Sequence, residues 1–152
     1  MAHRDVHNAS RENVGYLLAK ASQRWNELLY ERFRREGFKE VRPSYGSIIL
    51  PLFEEDGLRM GELAERARLS KQTMTTMIRL VERDGLVRRQ RDPEDGRAFR
   101  VYLTARAHSF RPVAQSVLRE LDELLEEQLS QAEVSTLKTS LKEVMSLCSR
   151  ER

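Results

Sequence analysis

The sequence has a single cysteine, Cys148, and lacks any long apolar run. One cysteine excludes an intramolecular disulfide, so we expect a reducing compartment, the cytoplasm. No stretch approaches the roughly 20 apolar residues that span a bilayer, and the first residues lack the apolar core of a signal peptide. The sequence therefore predicts a cytoplasmic protein with no membrane partner.

The motifs of enzymes and metalloproteins are also missing. The sequence has no glycine-rich phosphate loop and no nucleophile motif of the Gly-Xaa-Ser-Xaa-Gly type. His3 and His7 have the helical spacing of two metal ligands, but no cysteine lies near them. We therefore predict no enzymatic activity, no catalytic residue, no metal and no cofactor.

Positive charge is present, and it is concentrated in one part of the chain. Residues 68–106 contain 10 basic and 5 acidic side chains, whereas residues 1–67 contain 11 of each and residues 107–152 contain 6 and 8. Within the basic part, residues 87–104 hold five arginines and three acids. Such a local excess is typical of a surface that binds a polyanion, although a charge run alone could be a solvated face.

Helical periodicity dominates the beginning of the chain. Residues 11–36 carry apolar side chains at three- and four-residue steps, which predicts an amphipathic helix that stops near Gly37. A second helix is predicted to begin near Pro43 or Ser44, and Pro51 should kink or shorten it.

The end of the chain has the same periodicity. A long helix is predicted after Thr104, and Pro112 should bend it. Ser130 and Glu133 have the spacing of a capping box, which predicts the start of a last helix. Cys148 falls on the apolar stripe of that helix, so we expect a buried structural thiol rather than a redox sensor.

Between these helices lies the pattern of a helix-turn-helix followed by a hairpin. A short helix near residues 60–67 is followed by a turn and by a second helix, which Ser70 should cap and Gly85 should end. Leu86 and Val87 begin a strand, residues 93–97 form a loop, and residues 98–103 return. A hairpin in this position is a wing, and we predict a mainly α fold with a small β wing.

The stretch LSKQTMTTMIRLVERDGLVRRQRDPEDGRAFRVYLT, residues 69–104, resembles the MarR family of bacterial transcription regulators. It has the family's order of recognition helix, Gly-Leu-Val strand start, Asp-Xaa-Arg wing (Asp95 to Arg97) and Leu-Thr exit. The resemblance covers roughly residues 11–149. Pro51, Ala107 and Pro112 depart from the family pattern and leave the DNA-reading residues untouched.

The resemblance implies a homodimeric winged helix-turn-helix protein that binds double-stranded DNA. Residues 1–10 would be a flexible tail, residues 11–42 and 104–152 the helical dimerisation region, and residues 43–103 the DNA-binding lobe. In the family, a pocket between these layers often admits a small aromatic or anionic effector. We therefore predict a sequence-specific, ligand-responsive repressor that reads a pseudo-palindromic operator.

The polar face of the predicted recognition helix supplies the candidate DNA contacts. Short serine and threonine side chains let the backbone approach phosphates, Gln72 can pair with an adenine edge, and Arg79 with guanine or phosphate. Alone, this set could be a solvated helix face. The predicted contacts are Ser70, Lys71, Gln72, Thr73, Thr75, Thr76 and Arg79.

The wing supplies the remaining candidates. Arg97 is predicted to enter the minor groove or bind a phosphate, and Asp95 to pair with Arg97 and hold its guanidinium in one orientation. Arg88 is predicted to contact DNA as well. The other hairpin arginines are expected to be divided, like Arg88 itself, between phosphate contacts and intraprotein ion pairs: Arg89, Arg91 and Arg100.

Two further functions remain open on the residues alone. One is a nonspecific architectural DNA-binding protein, which would show no preferred site. The other is a winged helix that contacts proteins, against which the net charge of +5 in residues 68–106 argues.

Overall fold

The computed structural model describes residues 10–150, and the side chains of residues 10–147. Contacts divide the chain into two compact units, one reaching to Val113 and one starting at Ala114. The predicted fold class, mainly α with a small β wing, is confirmed. In chain order the elements are α1 (Val14–Arg35), a 3-10 turn (Pro43–Tyr45), α2 (Gly46–Glu54), β1 (Leu58–Arg59), α3 (Met60–Ala67), α4 (Lys71–Arg83), β2 (Val87–Arg91), β3 (Phe99–Leu103), α5 (Ala105–Gln128) and α6 (Gln131–Arg150).

Helix α1 begins and ends close to the predicted positions. The side chain of Asn13 caps its start by accepting a hydrogen bond from the N–H of Gly15 at 2.9 Å. Gly37 follows the helix with a φ of 87°, a conformation that glycine adopts at little cost. Phe33 is buried, and its ring packs edge-on against Phe110 of α5 with the ring centroids 4.8 Å apart. This contact ties α1 to the core of the first unit.

Helix α2 contains Pro51 and is only nine residues long. Proline removes one backbone donor from a helix, and α2 ends three residues later at Glu54. Its apolar residues Ile48, Ile49 and Leu52 are buried. The short helix therefore contributes to the core despite its proline.

A buried tyrosine joins the start of α2 to the end of α4. Tyr45 is 1% exposed, and its hydroxyl donates a hydrogen bond to Oδ2 of Asp84 at 2.5 Å. This bond lowers the pKa of the Asp84 carboxyl, while burial, followed by the same bond, raises the pKa of Tyr45. A hydrogen bond to a charged acceptor thus fixes the C-terminal end of α4.

The predicted helix-turn-helix consists of α3 and α4. Arg68 ends α3 in the left-handed conformation, with a φ of 55°. Ser70 caps α4 as predicted, because its Oγ accepts a hydrogen bond from the N–H of Thr73 at 3.1 Å. Leu63 of α3 and Ile78 of α4 have no exposed surface. Capping and burial together fix the position of α4 in the first unit.

Three short strands form an antiparallel sheet in the order β1-β3-β2. Strands β2 and β3 are the predicted hairpin, which pairs Val87 with Leu103 at its base and Arg91 with Phe99 next to its tip. Strand β1 pairs with β3 and was not predicted, because two residues are too short to show an alternating pattern. The hairpin is therefore attached to the rest of the unit along its β3 edge as well as through the chain.

Gly57 lets the turn before β1 lie directly against this hairpin. It has a φ of 71°, and a Cβ atom in its place would lie 2.7 Å from Cε1 of Tyr102 on β3. Its N–H donates a hydrogen bond to Oδ1 of Asp56 at 3.0 Å, and the same oxygen accepts from the N–H of Leu103 at 2.9 Å. Close packing and a shared carboxylate fix the turn and the hairpin to each other.

Helix α5 begins at Ala105, directly after Thr104, and runs unbroken past Pro112 to Gln128. The hydroxyl of Thr104 donates to the carbonyl of Gly85 at 2.7 Å and accepts from the N–H of Ala107 at 3.2 Å. The side chain of Thr104 therefore binds the backbone of Gly85, just after α4, and also caps α5.

The second unit contains the C-terminal part of α5 and all of α6. Ser130 caps α6 as predicted, since its Oγ accepts a hydrogen bond from the N–H of Glu133 at 3.1 Å. Val134 is buried, but five large apolar residues further along α6 are 37% to 58% exposed. They are Leu137, Leu141, Val144, Met145 and Leu147.

Candidate nucleic-acid interface

Helix α4 has one buried face and one polar face. Met74, Ile78 and Val81 are buried, at the steps expected for the core side of a helix. The structure brings the predicted contacts of this segment together on the exposed side. All seven are exposed: Ser70, Lys71, Gln72, Thr73, Thr75, Thr76 and Arg79.

The hydroxyl groups of this polar face are oriented by the helix itself. Thr75 and Thr76 donate hydrogen bonds to the carbonyls of Lys71 and Gln72 at 2.9 and 3.1 Å. Their oxygens therefore remain free to accept from a ligand rather than to donate. Ser70 is engaged in capping, so a bond from DNA to its hydroxyl would compete with the cap.

The cations of the polar face keep their charge uncompensated. Among residues 10–147, no carboxylate forms an ion pair with Lys71 or Arg79, whereas Arg83 at the end of the helix lies 3.3 Å from the carboxylate of Asp84. Lys71 also stands in the first turn of α4, where the helix dipole adds positive potential. The N-terminal half of α4 therefore presents an electropositive surface.

Arg89 of β2 is bound to α4. Its Nη2 and Nε lie 3.1 and 3.3 Å from the carboxylate oxygens of Glu82, and its backbone N–H donates to the same group at 3.2 Å. These bonds lower the pKa of Glu82 below its ordinary value. Arg89 was expected to form either a phosphate contact or an intraprotein ion pair. In the structure it forms the ion pair, with Glu82.

Asp92, at the end of β2, is buried and was not singled out from the sequence. Its Oδ2 accepts hydrogen bonds from Nε of Arg59 at 2.7 Å and from Nε of Arg100 at 3.2 Å. Its Oδ1 accepts from the N–H of Glu94 at 2.9 Å. One carboxylate therefore binds an arginine from β1, an arginine from β3 and the backbone of the wing loop.

The bonds to Asp92 favour its charged form. The N–H of Glu94, followed by the guanidinium groups of Arg59 and Arg100, holds the pKa of Asp92 below its ordinary value. The bond to Glu94 is an Asx turn, which the Asp-Pro pair at 92–93 could have indicated. The two arginine partners could not be predicted from the local sequence, because Arg59 and Arg100 lie 33 and 8 residues away from Asp92.

At the wing tip, Asp95 holds the backbone of Arg97 and not its guanidinium. Oδ1 of Asp95 accepts from the N–H of Arg97 at 3.0 Å, and its carbonyl accepts from the N–H of Ala98 at 3.0 Å. The expected side-chain pair is replaced by this turn, since an aspartate two residues earlier reaches the amide first. Within the described part of the chain, the exposed guanidinium of Arg97 has no acidic partner.

Arg88 and Arg91 occupy different places on β2. Arg88 lies near the base of the hairpin, with its guanidinium 4.7 Å from the ring centre of Tyr102. Arg91 lies next to the tip, with its guanidinium 5.9 Å from the ring centre of Phe99. Because they are three positions apart on the strand, the two side chains point to opposite faces and start about 10 Å apart. Neither forms an ion pair with a carboxylate of residues 10–147.

The remaining predictions concern metals and membranes. His3 and His7 lie outside the described residues, as does the side chain of Cys148. Among the residues that are described, no group of three histidine, cysteine or acidic side chains could hold a metal ion. Across residues 10–150, no helix has both the length and the apolarity to cross a membrane.

Sequence comparison associates the helix-turn-helix and wing with a known family. Residues 44–99 match the family model of MarR. The HTH-type transcriptional regulator SarZ of Staphylococcus haemolyticus is 29% identical over 100 residues, which is 65% of this chain and 66% of SarZ. The predicted resemblance to the MarR family is therefore confirmed for residues 44–99.

Solved structures show the same fold over most of the chain. The PcaV regulator of Streptomyces coelicolor, in complex with its natural ligand, has a TM-score of 0.77 at 20% identity, over 97% of this chain and 99% of its own. The repressor CouR, bound to a 23-mer DNA duplex, has a TM-score of 0.73 at 22% identity, over 87% and 92%. At these sequence identities, the structural comparison shows a shared winged-helix fold and no more.

Proposed function

We propose, from the match of residues 44–99 to the MarR family model, that this chain is a sequence-specific repressor that binds DNA as a homodimer. The observation that carries the proposal is the pairing of an exposed polar face on α4 with wing arginines that lack acidic partners among residues 10–147. The relative CouR, bound to DNA as a repressor, supports it.

Helix α4 is proposed to lie in the major groove. Its exposed Gln72 and Arg79 have the side chains that pair with adenine and guanine edges. Lys71 suits backbone phosphates, and the hydroxyl oxygens of Thr75 and Thr76 can accept from base amino groups or from phosphate-bound water. Ser70 and Thr73 complete the predicted set at the helix start.

The wing is proposed to reach the adjacent minor groove. Arg97 stands at the tip with a free guanidinium, which suits a narrow groove of negative potential. Asp95 fixes the backbone from which that side chain extends. Arg88 remains a proposed contact and, because it starts near the base of the hairpin, would meet the duplex at a different phosphate from Arg97.

The homodimer is proposed to form through residues 11–42 and 104–152, which leaves residues 43–103 as the DNA-binding lobe. Helix α6 exposes Leu141, Val144 and Met145, and α1 exposes Val14 and Leu17. Apolar area of this kind is typical of surfaces that a second chain covers. A twofold dimer would read two half-sites about 34–36 Å apart, one turn of DNA.

A small aromatic or anionic effector is proposed to control binding. The regulator PcaV, whose structure contains its natural ligand, supports a ligand-responsive mode. An effector can release DNA only if it binds two arrangements of the dimer with different affinity, so it would favour a spacing of the lobes that does not match successive major grooves.

The first experiment is in vitro selection from a random duplex library at near-physiological salt, followed by sequencing. We expect enrichment of a pseudo-palindrome by the parent chain. The variant Arg97→Ala should bind the selected duplex more weakly, by about 1–3 kcal/mol if it contacts a base, or with a salt slope reduced by about one per contact if it binds phosphate.

Other outcomes separate the alternatives. Salt-sensitive binding without enrichment would indicate a nonspecific architectural protein. The absence of DNA binding would overturn the proposal and favour a winged helix that contacts proteins. Arg35→Ala is the matched control for charge, since Arg35 of α1 lies outside the proposed DNA-binding lobe and is already paired with Glu31.

A further inference from the structure

The wing carries an exposed aromatic residue next to its tip. Phe99 is 37% exposed and forms, with Arg91, the last pair of the hairpin before the loop. Two guanidinium groups lie over its ring, those of Arg89 and Arg91, at 5.8 and 5.9 Å from the ring centre. On this surface the aromatic side chain is therefore a neighbour of cations.

The two cations over the ring differ in what else they bind. Arg89 is anchored to α4 by hydrogen bonds from its Nη2 and Nε to Glu82, at 3.1 and 3.3 Å. Arg91 forms no ion pair with any carboxylate of residues 10–147. The ring thus has one fixed guanidinium as a neighbour and one guanidinium that is free to bind an anion.

The strand geometry places this free guanidinium on the face of the hairpin from which Arg89 reaches α4. Arg89 and Arg91 are two residues apart on β2, so their side chains share one face of the sheet. Arg89 shows which face this is, because it reaches Glu82 of α4. Arg91 therefore projects on the same face, two residue pairs closer to the wing tip.

We propose that Phe99 is a positioning residue that holds the guanidinium of Arg91 for a DNA phosphate between the grooves occupied by α4 and the wing. The inference rests on the proposed function, since it assigns a further residue to the same DNA-binding surface. Glu82 binds the guanidinium of Arg89, which lies over the Phe99 ring. The guanidinium of Arg91 lies over the same ring. The chain of contacts links α4 to a cation near the wing tip.

The chemistry of arginine allows both contacts at once. A guanidinium stacks through its flat face and donates hydrogen bonds through its edge, so the ring does not compete with a phosphate. An arginine that is held in place loses less side-chain freedom when DNA binds. The size of an exposed cation–π contact corresponds to about a two- to five-fold gain in affinity per protomer.

The test is a double-mutant cycle measured by fluorescence anisotropy, with the duplex selected in the experiment above. Phe99→Leu should weaken binding by about two- to five-fold per protomer, and Phe99→Tyr, which keeps the ring, should bind like the parent. In the Arg91→Ala background, Phe99→Leu should change affinity by less than about two-fold. Arg91→Ala alone should also reduce the salt slope.

The matched control combines Phe99→Leu with Arg97→Ala. No ring contact joins Phe99 to Arg97 among the described residues, so their effects should add within about two-fold. Phe99→Thr provides a second ring-free variant, since threonine is favoured in exposed strands, and thermal unfolding of every variant checks that the fold is kept.

Two results would overturn this inference alone: parent-like affinity of both ring-free variants, or an equal loss from Phe99→Leu with and without Arg91. If the parent chain bound no duplex at any salt concentration, the proposed function would fail and this inference with it. The parent measurement therefore distinguishes the two failures.

Discussion

At the scale of single residues, the buried carboxylate of Asp92 binds arginines that could otherwise meet a ligand. Asp92 binds Arg59 and Arg100, while Arg91 and Arg97 keep no acidic partner within the described residues. The hairpin arginines are therefore not equivalent cations, and the number that can contact an anion is smaller than the sequence count. Asp92 also fixes the strands from which the free side chains extend.

We expect Asp92→Asn to lower the Tm and the DNA affinity together, because a neutral amide leaves the guanidinium groups of Arg59 and Arg100 close together without a counter-charge. Circular dichroism melts and anisotropy titrations measure the two effects. Glu94→Gln is the control: this carboxylate is 82% exposed and 3.9 Å from Arg59, so its loss should change little. A Tm equal to that of the parent would contradict the role of Asp92.

The same carboxylate predicts a pH dependence. The pKa of Asp92 is lowered in the folded chain, so its contribution is fully present above the ordinary aspartate pKa, about 4, and is lost as the pH falls through the lowered value. The difference in Tm between the parent and Asp92→Asn should therefore be constant above about pH 5 and shrink below about pH 4. A difference in Tm that grew as the pH fell would contradict a lowered pKa of Asp92.

A second residue-scale prediction concerns Tyr45. Tyr45→Phe should reduce the free energy of unfolding by about 1–2 kcal/mol, because it removes the buried hydrogen bond to Asp84. Urea denaturation measures the change. Tyr30→Phe is the matched control, since Tyr30 is 39% exposed and should give a change near zero. Equal stabilities of the two variants would argue against the link between α2 and α4.

At the scale of elements, α4 depends on its cap for stability and on its exposed face for function. Ser70 serves the first purpose through its bond to the N–H of Thr73 and was predicted to serve the second as well. The two roles can be separated, because aspartate caps a helix as well as serine does but repels a phosphate.

We expect Ser70→Ala to cost about 1 kcal/mol of stability. Ser70→Asp should keep the stability of the parent and weaken DNA binding, since it adds a negative charge at the start of α4. Urea denaturation and anisotropy give the two readouts. If Ser70→Asp bound DNA as tightly as the parent, the start of α4 would lie away from the phosphates.

The elements that the sequence predicted are those whose signal is local. The periodicity of residues 11–36, the serine caps at Ser70 and Ser130, and the hairpin all depend on residues within a few positions of each other. Strand β1 and the bond between Arg59 and Asp92 depend on partners more than 30 residues away, and no local pattern marks them. Helix α5 continues past Pro112 without a break, and the bend expected there stays a prediction.

The same distinction holds for the candidate interface. The exposed face of α4 followed from helical spacing, because burial of one side leaves the other exposed. Which hairpin arginine is paired did not follow, since Arg89 and Arg91 look alike in sequence. Only Arg89 stands where the strand brings it to Glu82 of the neighbouring helix.

At the scale of the whole molecule, the exposed apolar residues of α6 bear on the proposed dimer. Leu141→Glu should shift the protein to a monomer, because it introduces a charge into a surface that a second chain is proposed to cover. Sedimentation velocity measures the mass, and binding to the selected pseudo-palindrome should fall with it. Thr139→Glu, on the opposite side of α6, is the control and should leave the dimer intact. A monomeric parent chain would remove the basis of this prediction.

In a combinatorial library of wing variants, positions 57 and 102 must be varied together, because the two residues are in contact. Any side chain at Gly57 would meet Cε1 of Tyr102 at 2.7 Å, in a backbone conformation with a φ of 71° that other residues rarely adopt. Randomising position 57 alone should return glycine, whereas position 102 can shrink without a clash. Substitutions at this pair can therefore accumulate in one order only, with residue 102 reduced before residue 57 is enlarged.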